Sequence, residues 1–272
     1  MTHRIECGNG VVRFLRNVAA NSGIVFCLAS GLNFDCGLAA AQCFPDGVLS
    51  FTPGFGAGFG QSYLPHNVLG PPHGNSNPEL PNADETELLS LGVGGSIVLE
   101  FTSHVIVDGP GSDFTVFENP FQPIGYPDFV FCETATVAVS TDSLTWFTFP
   151  FEFDDPGTTA GLYEKWRYHG LAGVTPVFSS PTNGISPFDP HVSGGDSFDL
   201  AAVGLSYAKY VKITDTGTTN IAPTMDSHGH IVNDPGNAMN APPTAGFDLD
   251  AVAAIHSTPV ATVREEDWAL YE

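Results

Sequence analysis

Short runs of alternating apolar and polar residues, separated by Gly- and Pro-rich segments, make up most of this chain. The clearest run is LGVGGSIVLEFTSHVIVDGPGSDFTVFEN at 91–119. Its Val, Ile and Phe suit a pleated, half-buried surface, and it predicts strands at 96–101, 105–107 and 113–117. Gly94-Gly95 opens the first strand. Asp108-Gly109-Pro110-Gly111 supplies turn chemistry between the last two, so the three read as a β-meander. The third strand ends on Glu118-Asn119-Pro120, where a carboxylate and an amide precede a residue that stops strand pairing. That marks a place where a sheet hands over to a site.

The same pattern predicts strands at 48–52, 135–140, 145–151, 174–177, 208–214 and 247–256. Residues 135–151 read as a hairpin turning at Thr141-Asp142-Ser143-Leu144, with Trp146 buried. Residues 197–205 predict a helical turn. Gly and Phe alternate in a close-packed turn at 53–60. A Pro-punctuated loop covers 64–87 and carries His66, His73, Asn75, Asn77, Glu79, Asn82 and Asp84. A loop that long inside a domain is functional or tightly pinned. No segment sustains a helical period. The expectation is an all-β fold, a two-sheet jelly-roll sandwich with long loops, forming one domain over 42–272.

Composition agrees, with 30 Gly, 22 Pro and 21 Phe but only 14% charged residues. Eight Lys and Arg stand against 30 Asp and Glu, a formal charge of −22. That balance excludes nucleic-acid phosphates as partners and argues against an anionic membrane surface. It suits solubility, or the collection of cations. At 1–41, Arg4, Arg13 and Arg16 precede an apolar run at 18–32, and Ala39-Ala40-Ala41 offers an A-x-A cleavage site. This predicts a signal peptide and a secreted or cell-surface location. Cys43 and Cys132 would then remain as a possible disulfide pair. Neither has a C-x-x-C partner for zinc. Gln42 before Cys43 does not suit a lipobox, and no later run is long and apolar enough to span a membrane.

The acids carry the candidate chemistry. GFDLDAV puts Asp248 and Asp250 on one face of a strand and turns Phe247, Leu249 and Ala251 toward the core. GGDSFD sets Asp196 and Asp199 around Phe198. A hard cation such as Ca²⁺ takes roughly six to eight oxygens from carboxylates, amides and carbonyls. The expectation is a Ca²⁺ site drawn from Glu118, Asn119, Asp196, Asp199, Asp248 and Asp250. The competing role for such residues is to bond turn N–H groups, and this is expected of Asp113, Asp142 and Asp199.

Other groups offer weaker chemistry. His228-Gly229-His230, with His256 or Asp226, forms a transition-metal set or simply a solvated loop. Trp166, Arg167, Tyr168 and His169, beside Lys165, are the basic-aromatic cluster of an acidic chain. They read as a ligand-binding loop, with Trp146 and Tyr126 as further stacking aromatics, or Trp166 plugs the sandwich edge. Neither G-x-S-x-G nor H-E-x-x-H occurs. Glu118 and Asp250 remain a carboxylate pair of the kind that hydrolyses glycosides.

Several segments occur in a familiar order: VLGPPHG (68–74), LSLGVGGSIVLEF (89–101), VDGPGSDFTVFENPF (107–121), TVAVSTDSLTWFTFP (136–150), LAGVTPV (171–177), GGDSFDLAAVGLSYAKYVKITD (194–215) and GFDLDAVAAIH (246–256). Together they resemble a family of exported bacterial cell-surface proteins, some of them lipoproteins and some bearing C-terminal sorting tags. The resemblance covers most of 48–256. It implies a surface location and a β-sandwich related to galactose-binding and discoidin-like modules. No sorting tag is recognisable before Glu272, and 228–240 has no counterpart in the family. The combined expectation is a secreted or surface-displayed, non-enzymatic module, stabilised by Ca²⁺, that binds a glycan or another surface component. The alternatives are an extracellular polysaccharide hydrolase and a purely structural envelope protein.

Overall fold

A computed structural model describes residues 43–238 and 242–260. The expected signal peptide at 1–41 and the tail at 264–272 lie outside the described residues. Among those described, the chain is all-β with short 3₁₀ turns and no α-helix. In chain order the first strands are β1 (Gly47–Thr52), β2 (Leu89–Ser90), β3 (Ser96–Glu100), β4 (His104–Val107), β5 (Phe114–Phe117), β6 (Ala135–Ser140), β7 (Phe147–Thr148) and β8 (Glu152–Phe153). The remainder are β9 (Tyr168–His169), β10 (Asp196–Phe198), β11 (Tyr207–Ala208), β12 (Tyr210–Asp215), β13 (Asp248–Leu249), β14 (Ala251–Ala254) and β15 (Ser257–Pro259).

Every pairing between these strands is antiparallel. The largest sheet runs β1-β3-β12-β6-β7, and two three-stranded sheets run β10-β5-β14 and β11-β4-β15. The strands expected as a meander therefore do not pair with one another: β3, β4 and β5 each enter a different sheet. Local hydrogen bonds redirect the chain between them. The Asp46 carboxylate accepts from Thr102 N at 2.6 Å and Ser103 N at 2.9 Å, fixing the corner after β3. Asp113 accepts from Gly109 N at 2.7 Å and Leu200 N at 2.7 Å, which leads β5 toward β10 instead of back onto β4. Period-two alternation identifies a strand and its faces but not its partner.

The inner face of the large sheet contributes Ile97, Leu99, Val137, Val139, Val211 and Ile213 to one apolar cluster. Phe114 and Val116 of β5 and Val252 and Ala254 of β14 belong to the same cluster. The other faces of β5 and β14 are buried as well, Phe117, Ala251 and Ala253 packing with Phe44 and Val177. The expected inward face of 247–256 thus changes at Asp250. Phe247 and Leu249 point into the main cluster, but Ala251 points the other way. The strand breaks at Asp250, whose N–H donates to Phe117 O at 3.0 Å.

Other expected strands are divided or absent for similar reasons. Segment 208–214 splits at Lys209, so β11 joins β4 while β12 joins β3 and β6. Residues 174–177 form no strand, because the N–H groups of Val174 and Thr175 bond to Asp196. The 135–151 hairpin forms, with Val139 opposite Phe147, but its return is only two residues long. Trp146 is half-buried rather than in the core, with Lys212 Nζ 4.5 Å from its ring. Cys132 is a buried free thiol, so it does not pair with Cys43. No described helix is long and apolar enough to cross a membrane.

Candidate functional site

The strand end at Glu118-Asn119 opens onto a cavity of about 220 Å³. Glu118, Asn119, Glu133, Asp248, Asn82 and the rings of Phe121 and Phe131 line it. Backbone pairing sets the positions of the acids. Asp248 lies opposite Ser90 in the β13–β2 pair, and Glu118 directly follows β5. Asp248 N donates to Glu118 Oε1 at 3.4 Å. Glu133 precedes β6 and packs against Gly236, where a Cβ would stand 2.1 Å from Glu133 Cγ. Asn119 Nδ2 donates to Asn82 O at 2.9 Å, tying the long 64–87 loop to the cavity wall.

These carboxylates are short of partners. Glu118 is 2% exposed and Asp248 6% exposed, yet Glu118 Oε2 and Asp248 Oδ1 have no hydrogen-bond donor. Leaving a buried charged oxygen unsatisfied is expensive, so buried charges are normally paired or bound to a metal. The electrostatics agree. Burial, and then the charges of Glu133 and Asp248, push the Glu118 carboxyl well above its ordinary range. Burial, then Asp248, Asp234 and Asp215, do the same to Glu133. Burial raises Asp248 to about 7, opposed by the nearby Ser90 and Asn119 side chains. A divalent cation relieves both the repulsion and the unsatisfied oxygens.

The structure does not bring all six expected ligands together. Glu118, Asn119 and Asp248 meet at the cavity. Asp250 faces a smaller cleft of about 10 Å³ that it shares with Glu118 and Asn119. There it accepts from His73 N at 2.8 Å, and His73 Nδ1 stands 3.5 Å from its other oxygen, Oδ1. A space of that size holds about one water. Asp196 is spent elsewhere, accepting from Thr175 Oγ1 at 2.7 Å and Val174 N at 2.8 Å. Asp199 accepts from Ala201 N at 2.8 Å, capping the turn Leu200–Val203. Asp142 likewise takes the N–H groups of Leu144 and Thr145. Glu133 is the cavity acid that the sequence pattern missed. It sits alone before β6, and only the burial of its surroundings could have drawn attention to it.

A different acidic group has the geometry to hold a metal ion. Asp108, Asp113 and Asp199 offer ligand atoms all within 4.8 Å of one another, which no other set of three His, Cys, Asp or Glu side chains among the described residues does. The cavity acids are thus spread more widely than this triad. The triad differs in being already supplied with donors. Asp113 takes Gly109 N, Leu200 N and His256 Nδ1, and Asp199 takes Ala201 N.

The other candidate groups disperse. His256 is held by Asp113 at 2.9 Å and is not a third ligand for His228 and His230. Asp226 accepts from Phe153 N, His228 N and His230 N, shaping the turn between them. In the Trp166 loop, Tyr168 is buried and its hydroxyl donates to Leu162 O at 2.7 Å, making it a core residue instead of a ligand contact. Arg167 pairs with Glu164, its Nε 2.7 Å from Oε2. Trp166 is exposed on the turn Lys165–Arg167, and His169 lines a groove of about 490 Å³ with Glu152, Thr148 and Met225, which Trp166 does not line. The four side chains do not share one binding face. No family model matches the chain, and no curated protein is significantly similar to it.

Proposed function

We propose that this chain is a non-enzymatic binding module of exported bacterial surface proteins. In this reading it is a jelly-roll sandwich whose loops are held by Ca²⁺ and which binds a glycan or another surface component. One observation carries the reading: the unpartnered, buried carboxylate oxygens of Glu118 and Asp248 at a cavity that also receives Glu133. The ion would tie the end of β5 to β13 and, through Asn119, to the 64–87 loop. Carboxylate and amide oxygens suit Ca²⁺ rather than a softer metal. The shared cluster between the large sheet and the β5/β14 sheet supports the sandwich. The ordered motifs at 68–256 and the basic-apolar segment at 1–41 support export.

Thermal unfolding in Ca²⁺ and in EDTA tests the proposal. A ligand at about 100 times its Kd stabilises the folded state by about 2.7 kcal/mol, which shifts Tm upward by several degrees. Equal Tm values in the two buffers would overturn it.

A further inference from the structure

The acids of the cavity have no cationic side chain of their own. Among the described residues, no Lys or Arg pairs with Glu118, Glu133 or Asp248. Arg167 is spent on Glu164, and Lys212 stands over Trp146. Glu118 Oε2 and Asp248 Oδ1 are left without a donor, in residues only 2% and 6% exposed. Beside them Phe121 and Phe131 stack with their centroids 5.1 Å apart and their planes 21° from parallel. Reciprocal backbone bonds pin the two, Phe121 N to Phe131 O at 3.1 Å and Phe131 N to Phe121 O at 2.8 Å. Both are half-buried and line the same cavity as the acids. The three carboxylates do not bring their oxygens within 4.8 Å of one another, as Asp108, Asp113 and Asp199 do.

We propose that this cavity binds a guanidinium group on a short aliphatic stem, its N–H edges donating to the Glu118, Asp248 and Glu133 carboxylates and its plane lying against Phe121 and Phe131. The proposal goes beyond the Ca²⁺ reading and needs no ion. Buried carboxylates without donors call for a partner that brings both N–H groups and positive charge. A guanidinium is planar and carries five N–H donors in a fixed fork, so it serves carboxylates set wider apart than the ligands of one small ion. An ammonium offers its donors from a single nitrogen. The guanidinium is also more weakly hydrated and stacks on aromatic faces, which suits a half-buried phenyl wall. A neutral ligand would leave the acids uncompensated, and the same acids, with a chain charge of −22, repel an anion. The cavity holds about 220 Å³. Pockets for drug-sized ligands run to about 300–1,000 Å³, so this one takes a single such group and its stem. Free guanidino compounds and the arginine side chain of a peptide share this chemistry.

Calorimetric titration of the full chain in EDTA, with ethylguanidinium, n-butylammonium and ethylurea as probes, tests this alongside melts in Ca²⁺ and in EDTA. Ethylguanidinium should bind about tenfold or more tightly than either the ammonium or the neutral urea. Glu118→Gln and Phe131→Leu should each weaken it about tenfold. The first removes a buried charge and the second keeps an apolar side chain, so both should fold. Agmatine binding more tightly than Nα-acetyl-L-arginine methylamide assigns a free guanidino compound, and the reverse order assigns an arginine side chain; either order supports the site. No binding of ethylguanidinium, equal binding of the three probes, or binding that both substitutions leave unchanged overturns the proposal. A rise of Tm in Ca²⁺ without ethylguanidinium binding sinks the guanidinium site and leaves the ion reading standing. Ethylguanidinium binding with equal Tm values in the two buffers does the reverse.

Discussion

Asp113 offers the sharpest test of how the two acidic groups differ. Its side chain is fully buried and takes three donors: Gly109 N at 2.7 Å, Leu200 N at 2.7 Å and His256 Nδ1 at 2.9 Å. These donors come from the β4–β5 turn, the turn after β10, and the chain just after β14. Asp113→Ala leaves all three without their acceptor. A buried polar group deprived of its partner costs about 1–3 kcal/mol, so three such losses should total about 3–9 kcal/mol. Against an ordinary domain stability of about 5–15 kcal/mol, that is a large share. Asp113→Asn keeps one acceptor oxygen and should lose about half as much. Urea unfolding at neutral pH measures both, and each variant should still gain stability from Ca²⁺. An Asp113→Ala protein within about 1 kcal/mol of the parent would refute the staple argument. An Asp113→Asn protein that folds but no longer responds to Ca²⁺ would move the ion to the Asp108–Asp113–Asp199 triad.

Two further predictions concern groups away from the cavity. Burial raises the Asp196 carboxyl to about 6 and Asp234 to about 7, from 3.8, so the folded chain holds these protons more tightly than the unfolded chain. Their contribution is fully present below 3.8 and is lost as pH rises toward 7. Despite some burial, bonds from Phe153, His230 and His228 hold Asp226 down to about 2, so its contribution is lost only as pH falls below 3.8. His104, lowered by burial, opposes the trend as a single group. In EDTA, Tm should therefore fall between about pH 4 and pH 7, and a rise over that range would contradict the assignment. Burial also pushes the Cys132 thiol well above its usual range. It should react with a thiol reagent such as DTNB only after denaturation, and fast labelling of Cys132 in the native chain would show that it is not buried.

Strand positions were largely legible in the sequence. Segment 135–140 forms β6 over the residues expected, because its alternation is clean and Asp142 fixes the following turn. Pairing was not legible, since the chain passes from β3 to β4 to β5 by corners built on Asp46 and Asp113. Asp113 reads in sequence as an ordinary turn acid, and nothing local singles out Asp46. The candidate site was half legible. Glu118-Asn119 drew attention as polar residues at a strand end, and Asp248 through its FDLD context. Asp196 and Asp250 shared that context, but the donors that claim them, Thr175 and His73, lie 21 and 177 residues away. Tyr168 looked like a surface aromatic because its loop is basic. Its burial depends on Leu162 and Val232 closing over it, which no local pattern records.

The dispersal of β3, β4 and β5 has a consequence for biogenesis. Each takes a partner from late in the chain: β12 for β3, β11 and β15 for β4, β10 and β14 for β5. A chain that has reached residue 190 therefore contains β1, β3, β6 and β7 without the β12 that joins β3 to β6, and β4 and β5 without either of their partners. Sheets assembled from such distant segments fold slowly, because loop closure must precede the contacts that reward it. The two three-stranded sheets therefore close only when the C-terminal third is made.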